Sequence, residues 1–209
     1  MRVVLDYGGV LVEHVDEREY AHVLDVASDR DPYPGWLAYY LFRAGFVRTE
    51  AEYVDLLVTL TGASEDACHA YIQRTWLDPE FPPVHRELLH ELSDRYSLVL
   101  FSNMAKPWIE GVLERYDVID AFDELVVSSE LQRPKPHPKG YVRCMVDADE
   151  PVVMVSDEFN EDLLMADCLG MRTIWLQNDE EQPYREPDVT IEEFAALPAV
   201  LAEIQAAAD

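Results

Sequence analysis

The chain has 209 residues, 49% of them hydrophobic, which is enough for one sizeable core with or without a small inserted domain and too apolar for a disordered chain. Its 16 Lys and Arg stand against 42 Asp and Glu, a net charge of −26 at pH 7, so its surface repels nucleic acid and anionic membranes. The same field repels anionic substrates, so a phosphate site would need local positive charge or a bound cation.

Only three lysines occur, Lys106, Lys135 and Lys139. Acid-rich, lysine-poor composition suits a salt-rich cytoplasm, where screening over about 3 Å at 1 M tames self-repulsion. Cys68, Cys144 and Cys168 are scattered, odd in number and without CxxC spacing. They imply neither a disulfide framework nor a zinc site, and read as buried small hydrophobes. Asp6 interrupts the only N-terminal apolar run, so no signal peptide is read. No apolar stretch reaches membrane-spanning length. The expectation is a soluble cytoplasmic protein.

Val3, Val4 and Leu5 form a short apolar run that ends at Asp6 and is followed by Gly8, Gly9 and a second trio, Val10 to Val12. This reads as a buried strand with Asp6 at its carboxyl end, where open α/β sheets bind ligands. Taken alone, Asp6 reads equally as a turn or capping residue.

From His14 to Pro83 the pattern turns helical. Tyr20, Val23, Leu24 and Ala27 share helical spacing; Trp36, Tyr39, Tyr40 and Arg43 continue on a second helix, broken at Gly45. Thr49 to Glu52 is a capping box before Tyr53, Leu56, Leu57 and Leu60, and Thr61-Gly62 ends that helix. Ser64 caps a further helix carrying Ala67, Ala70, Tyr71 and Arg74.

Beyond Pro83 a helix over 84–95 presents Leu88, Leu89 and Leu92 on one face. A second buried strand spans 97–102, and Pro107 suits the first turn of the next helix. Strands follow over 124–128, 151–156 and 172–176, with a short one near Asp188 and a closing helix from Ile191. Between them lie a basic loop from Leu131 to Pro138, a knot of acids (Asp157, Glu158, Glu161, Asp162) and a helix ended by Gly170. Strands alternating with helices predict a mostly parallel sheet with right-handed crossovers.

Four polar features therefore follow four strands: Asp6, Ser102, Lys135 in its loop, and the Asp157/Glu158/Asp162 cluster. In a parallel sheet these strand ends converge. A carboxylate can attack phosphorus. Mg²⁺ held by hard oxygen ligands would shield it from an anionic substrate. A hydroxyl beside backbone N–H groups can hold phosphate oxygens. A lysine neutralises charge that builds in the transition state. Ser102 and Asp162 also read as plain helix caps.

The order of these motifs resembles the haloacid dehalogenase superfamily of phosphatases and related hydrolases. The strand with Asp6 to Leu11, the strand ending Ser102-Asn103, Lys135-Pro-His-Pro138, and Asp157-Glu158-Phe-Asn-Glu-Asp162 with Gly170-Met171 match its four motifs in order. The resemblance covers essentially the whole chain. It implies an α/β fold, a Rossmann-type doubly wound parallel sheet formed by residues 1–13 and 84–209. An inserted α-helical cap would span 14–83.

It further implies that Asp6 is the nucleophile and that Ser102, with the Asn103 backbone, binds the phosphoryl group. Lys135 would bridge nucleophile and phosphate. Asp6, the Gly8 carbonyl, Asp157 and Glu158 would hold Mg²⁺, with Asp162 supporting that loop. The substrate would be a small phosphorylated metabolite; the oligomeric state is left open.

Two departures weaken the match. Gly8 replaces the family's general acid–base Asp, help worth about a hundred- to ten-thousandfold. Glu158 replaces the commoner Asp. Glu13, His14 or a metal-bound water are candidate substitutes for the acid. A catalytically weak or non-enzymatic phospholigand-binding relative is the alternative that Gly8 favours. A 2-haloacid dehalogenase ranks lower, because Tyr7 stands one position before that branch's usual Tyr and the acid cluster is intact; a phosphosugar mutase, which leans harder on the missing acid, ranks lower still. Specificity would lie among His14, Trp36, Tyr39, Tyr40 and Arg43.

Overall fold

The computed structural model describes residues 1–13, 15–146, 150–177 and 183–208. His14 lies outside the described residues. Strand β1 (Arg2–Leu5) leads through a tight turn, in which Leu11 and Val12 N–H groups both donate to the Tyr7 carbonyl, into a helical stretch. That stretch begins with a 3₁₀ helix, Glu17–Leu24, capped by the Asp16 side chain. It continues as α1 (Pro34–Arg43), α2 (Glu50–Thr61) and α3 (Glu65–Ile72), the last widening into a π-type turn, Gln73–Leu77.

The local signals hold where they were strongest. Thr49 and Glu52 form the reciprocal capping box of α2, Gly62 takes a left-handed φ of 77° at its end, and Ser64 accepts from the Ala67 N–H to start α3.

After it come α4 (Pro83–Ser93), β2 (Ser97–Ser102), α5 (Lys106–Arg115), β3 (Glu124–Val127), α6 (Ser128–Leu131) and α7 (Pro138–Met145). The chain closes with β4 (Val152–Ser156), a π-type turn Phe159–Leu163, α8 (Leu164–Cys168), β5 (Arg172–Leu176), β6 (Val189–Ile191) and α9 (Leu197–Ala208). Sequence periodicity had not marked α7. Its two turns are too short for a periodic stripe, and its buried residues include Gly140, whose lack of a side chain lets the helix press on Phe101. A Cβ at Gly140 would stand 2.3 Å from that ring.

Among the described residues the sheet has six strands, all parallel, in the order β3-β2-β1-β4-β5-β6. β1 is therefore flanked by two strands reached by crossovers in opposite directions, the point where such sheets open a crevice. Successive residues alternate between two apolar layers, as period-2 geometry requires. Val3, Leu5, Leu98, Leu100, Val153 and Val155 face one; Val4, Val99, Phe101, Val152 and Met154 face the other. Helices cover both faces, so these strands read as unbroken apolar runs.

The helical stretch between β1 and α4 packs onto the first layer. Its anchor is Trp108 of α5, whose ring lies 4.8 Å from Phe42, 5.5 Å from Tyr53 and 6.4 Å from Trp76. The Trp108 Nε1–H donates to Glu50 at 2.9 Å, which satisfies the one polar atom of an otherwise buried side chain. Among the described residues no helix is long and apolar enough to cross a membrane.

Candidate functional site

Register fixes what meets at the carboxyl edge. Leu5 pairs with Leu100 on one side and Val155 on the other, so Asp6 emerges level with Phe101 and Ser156. Its backbone N–H still donates to the Val155 carbonyl at 3.0 Å, which keeps the residue on the sheet axis. The side chain is held from three directions. Oδ1 accepts from the Tyr7 N–H at 2.7 Å and lies 2.8 Å from the Lys135 Nζ; Oδ2 lies 3.3 Å from the Ser156 hydroxyl.

Lys135 comes from the basic loop, yet it is buried, with 4% of its surface exposed. Its ammonium bonds Asp162 as well as Asp6 and sits 5.5 Å from the centre of the Phe101 ring. Burial alone would lower its pKa. The Asp162 and Asp6 carboxylates outweigh that and hold it above the ordinary lysine value, so it stays charged. Asp162 is fully buried; burial pushes its carboxyl above the usual carboxylate range, with Lys135 pulling the other way. It is not a helix cap, as its sequence position also allowed, but the lysine's second anchor.

Ser156 completes the network and was not singled out from sequence. Its hydroxyl lies 2.9 Å from Asp162 Oδ2 and 3.3 Å from Asp6 Oδ2, and accepts from the Glu158 N–H at 3.2 Å. A hydroxyl has one proton to give, and the shorter distance puts it on Asp162. The available signal was its place as the last residue of a strand, the same as Ser102.

Ser102 is buried and accepts from the Met104 N–H at 3.2 Å, while α5 begins only at Lys106. It therefore does not cap that helix, and the residue lines the same cavity as Asp6. Asn103 does more than its sequence position implied. Its side-chain Oδ1 accepts from the Lys135 N–H at 2.7 Å, fixing the loop that carries the lysine. Its carbonyl accepts from the Tyr39 hydroxyl at 3.2 Å, tying the helical stretch to the sheet edge.

Gly8 lines the cavity and bridges to Val12 across the tight turn. Gly9 explains why a second glycine follows it. Its φ is 72°, and a Cβ there would stand 2.0 Å from Asp157 Oδ2, so the Asp157 carboxylate lies against bare backbone beside β1. The Asp157 carbonyl accepts from Trp175 Nε1 at 2.8 Å, which anchors that loop to β5.

These groups floor a cavity of about 320 Å³, near the lower end of ligand pockets. Asp6, Ser102, Lys135, Asp157 and Glu158 line it from the sheet; Asp162 lies beneath, behind Lys135. The helical stretch roofs it with Trp36, Tyr39, Trp76 and Arg43, and Tyr39 stacks on Trp76 at 4.1 Å between ring centres. Tyr40 instead lines a neighbouring cleft. Glu13, a candidate proton donor, also lines the cavity. Among the described residues no three His, Cys, Asp or Glu side chains already stand as a metal-binding group. The oxygen donors that face the cavity, Asp6, Asp157 and Glu158, are of the kind a hard divalent cation takes.

A model of the haloacid dehalogenase-like hydrolases matches residues 2–170. A glyceraldehyde 3-phosphate phosphatase of Pyrococcus abyssi is 34% identical over 93 residues, 43% of this chain and 38% of that protein. The chain thus spans well under half the length of that curated relative. Among solved structures, a magnesium and inorganic phosphate complex of a mutant family enzyme from Bacteroides thetaiotaomicron has a TM-score of 0.71 at 19% identity, covering 88% of this chain and 98% of that one. A 2-haloacid dehalogenase from Pseudomonas syringae has a TM-score of 0.66 at 21% identity, covering 97% and 98%. At these identities the structural likeness is one of fold.

Proposed function

This chain belongs to the haloacid dehalogenase-like hydrolases, and on that premise we propose that it is a Mg²⁺-dependent phosphatase of a small phosphorylated metabolite. The reading divides the chain into a core of residues 1–13 and 84–209 and a cap of 14–83 that closes over the substrate. The observation that carries it is the buried contact of 2.8 Å between the Asp6 carboxylate and Lys135 at the carboxyl edge of the sheet. It holds a nucleophile in place, beside a cation, at the floor of a small cavity.

Asp6 attacks phosphorus, the ester P–O bond breaks, and the leaving oxygen takes a proton from water as the alcohol departs. Water then attacks the aspartyl-phosphate, releasing inorganic phosphate and restoring the carboxylate. Lys135 holds positive charge beside the phosphoryl oxygens, and Ser102 with the Asn103 backbone receives them. Asp162 and Ser156 fix Lys135 in place. Asp6, Asp157, Glu158 and the Gly8 carbonyl would hold Mg²⁺, which when bound offsets the repulsion between carboxylate and substrate.

Gly8 offers no side-chain proton, so the reaction runs slower than in a relative with a carboxyl group there. The same residue favours a second reading, a weak or non-enzymatic member that only binds a phosphorylated ligand. Hydrolysis of p-nitrophenyl phosphate with Mg²⁺ decides between them. Turnover that disappears in Asp6→Asn, and rises in Gly8→Asp, is the expected result. Turnover indifferent to Asp6, or absent across a panel of phosphate esters, overturns the phosphatase reading.

A further inference from the structure

Lys135 reaches Asp6 from a loop, and a loop holds a charged group to a fixed point only when other elements brace it. Part of the bracing is local. The His137 N–H donates to the Pro134 carbonyl at 2.9 Å, and Lys139 Nζ donates to the Leu131 carbonyl at 3.0 Å. Another part comes from the end of β2. Asn103 Oδ1 accepts from the Lys135 backbone N–H at 2.7 Å, at the short end of the range for such bonds. The bond is made at the very residue whose ammonium must be placed.

Two contacts join this loop to the roof helix α1. The first runs through Asn103, whose carbonyl accepts from the Tyr39 hydroxyl at 3.2 Å. The second lies just past the C-terminal end of α1. Gly45 has a φ of 78°, and Gln132, which follows α6, has a φ of 55°, so two left-handed residues meet. A Cβ on Gly45 would stand 3.0 Å from the Gln132 Cα. The roof's backbone therefore presses on the loop three residues before Lys135. A residue with a side chain takes this conformation at a cost and keeps it where its surroundings fix it. Here Gly45 is one of those surroundings.

We infer that α1 seats Lys135, with Asn103 and Gln132 as the positioning residues between them. The Asn103 side chain acts through the lysine and is distinct in this from its backbone. The consequence for turnover rests on the phosphatase reading above and deepens it. The cation that faces the phosphoryl oxygens is aligned when the roof is in place over the cavity, so covering the substrate and setting the charge become one event. A preset charge is worth most when it needs no rearrangement as the reaction proceeds.

The chain has only three lysines, which makes the placement of Lys135 directly readable. In ¹⁵N-lysine protein the Lys135 ammonium, buried between two carboxylates, should give a signal apart from the more exposed Lys106 and Lys139. Asn103→Ala should shift or broaden that signal and leave the other two in place. Asn103→Asp, which keeps an acceptor oxygen, should bring it back toward the wild-type position. Tyr39→Phe and Gln132→Gly, which loosen the two roof contacts, should each move it while the melting temperature stays within a few degrees. In p-nitrophenyl phosphate hydrolysis, Asn103→Ala should lower kcat about ten- to a hundredfold with KM unchanged, and should add nothing to the loss caused by Lys135→Ala. A Lys135 signal indifferent to Asn103→Ala overturns the inference. A signal that moves in Asn103→Ala but in neither Tyr39→Phe nor Gln132→Gly overturns the part given to α1. Signals that move as stated in a protein that hydrolyses no phosphate ester support the seating of Lys135 and overturn the phosphatase reading alone.

Discussion

On the sheet side of the cavity, Asp6, Lys135, Asp162 and Ser156 are buried and bonded to one another, and β1, which leads into Asp6, pairs with β4, which ends in Ser156. On the helical side the lining is aromatic, with Tyr39 stacked on Trp76 and Trp36 on Tyr40. One wall is built from charges paired with one another, with Asp162 Oδ1 buried and still unpartnered among the described residues; the other is built mainly from aromatic rings. The difference follows from what each must do. Charge that builds at one fixed atom rewards groups that need no reorganisation. Recognition of the rest of a substrate rewards groups whose partners arrive with it.

The sharpest way to break this contrast is to unpair the floor. Lys135→Met leaves two carboxylates buried side by side and should cost about 3–5 kcal/mol in urea unfolding. Adding Asp6→Asn to it should recover part of that loss. A double variant no more stable than the single one would show that the floor is not held by charge pairing. Gly9→Ala comes next. It forces a positive φ on a residue with a Cβ that meets Asp157, and should cost roughly 1–3 kcal/mol in thermal unfolding while displacing that carboxylate.

The link between the two walls should be worth less. Tyr39→Phe removes the hydroxyl that donates to the Asn103 carbonyl, and chemical denaturation should register about 0.5–1.5 kcal/mol. The smallest effect is kinetic. Cys168 is exposed, Cys68 is buried in the roof on α3, and Cys144 is buried on α7 beside the floor. Burial pushes the Cys144 thiol up to about 12. The folded chain therefore keeps a proton there that the unfolded chain releases above the ordinary thiol value, and this contribution to stability falls as pH rises from about 9 toward 12. Thiol labelling at pH 8 should modify Cys168 first, then Cys68, then Cys144. Labelling of Cys144 before Cys68 would mean that the floor opens more readily than the roof.

Asp6 and Lys135 were legible because each stood out locally, one as an acid ending an apolar run and the other as a rare lysine in a basic loop. The capping boxes and stop glycines of α2 and α3 were legible for the same reason, since a helix end must satisfy its own backbone groups within a few residues. Ser156 and the side chain of Asn103 were not. Nothing adjacent to them in sequence says that one will touch two carboxylates and the other a loop 32 residues away. Helix α7 was missed because two turns give periodicity little to show.

Sequence by itself determined the alternation of strands and helices, the parallel sheet and Asp6, Ser102, Lys135 and the Asp157/Glu158/Asp162 cluster as polar groups at its carboxyl edge. Those depend on periods and caps that short-range sterics and burial impose. Only tertiary structure decided which of those polar groups pair and which wall each one belongs to. Pairing among buried charges depends on distances of a few ångströms between residues far apart in the chain, and these are set when the sheet register and the packing around Trp108 bring the walls together.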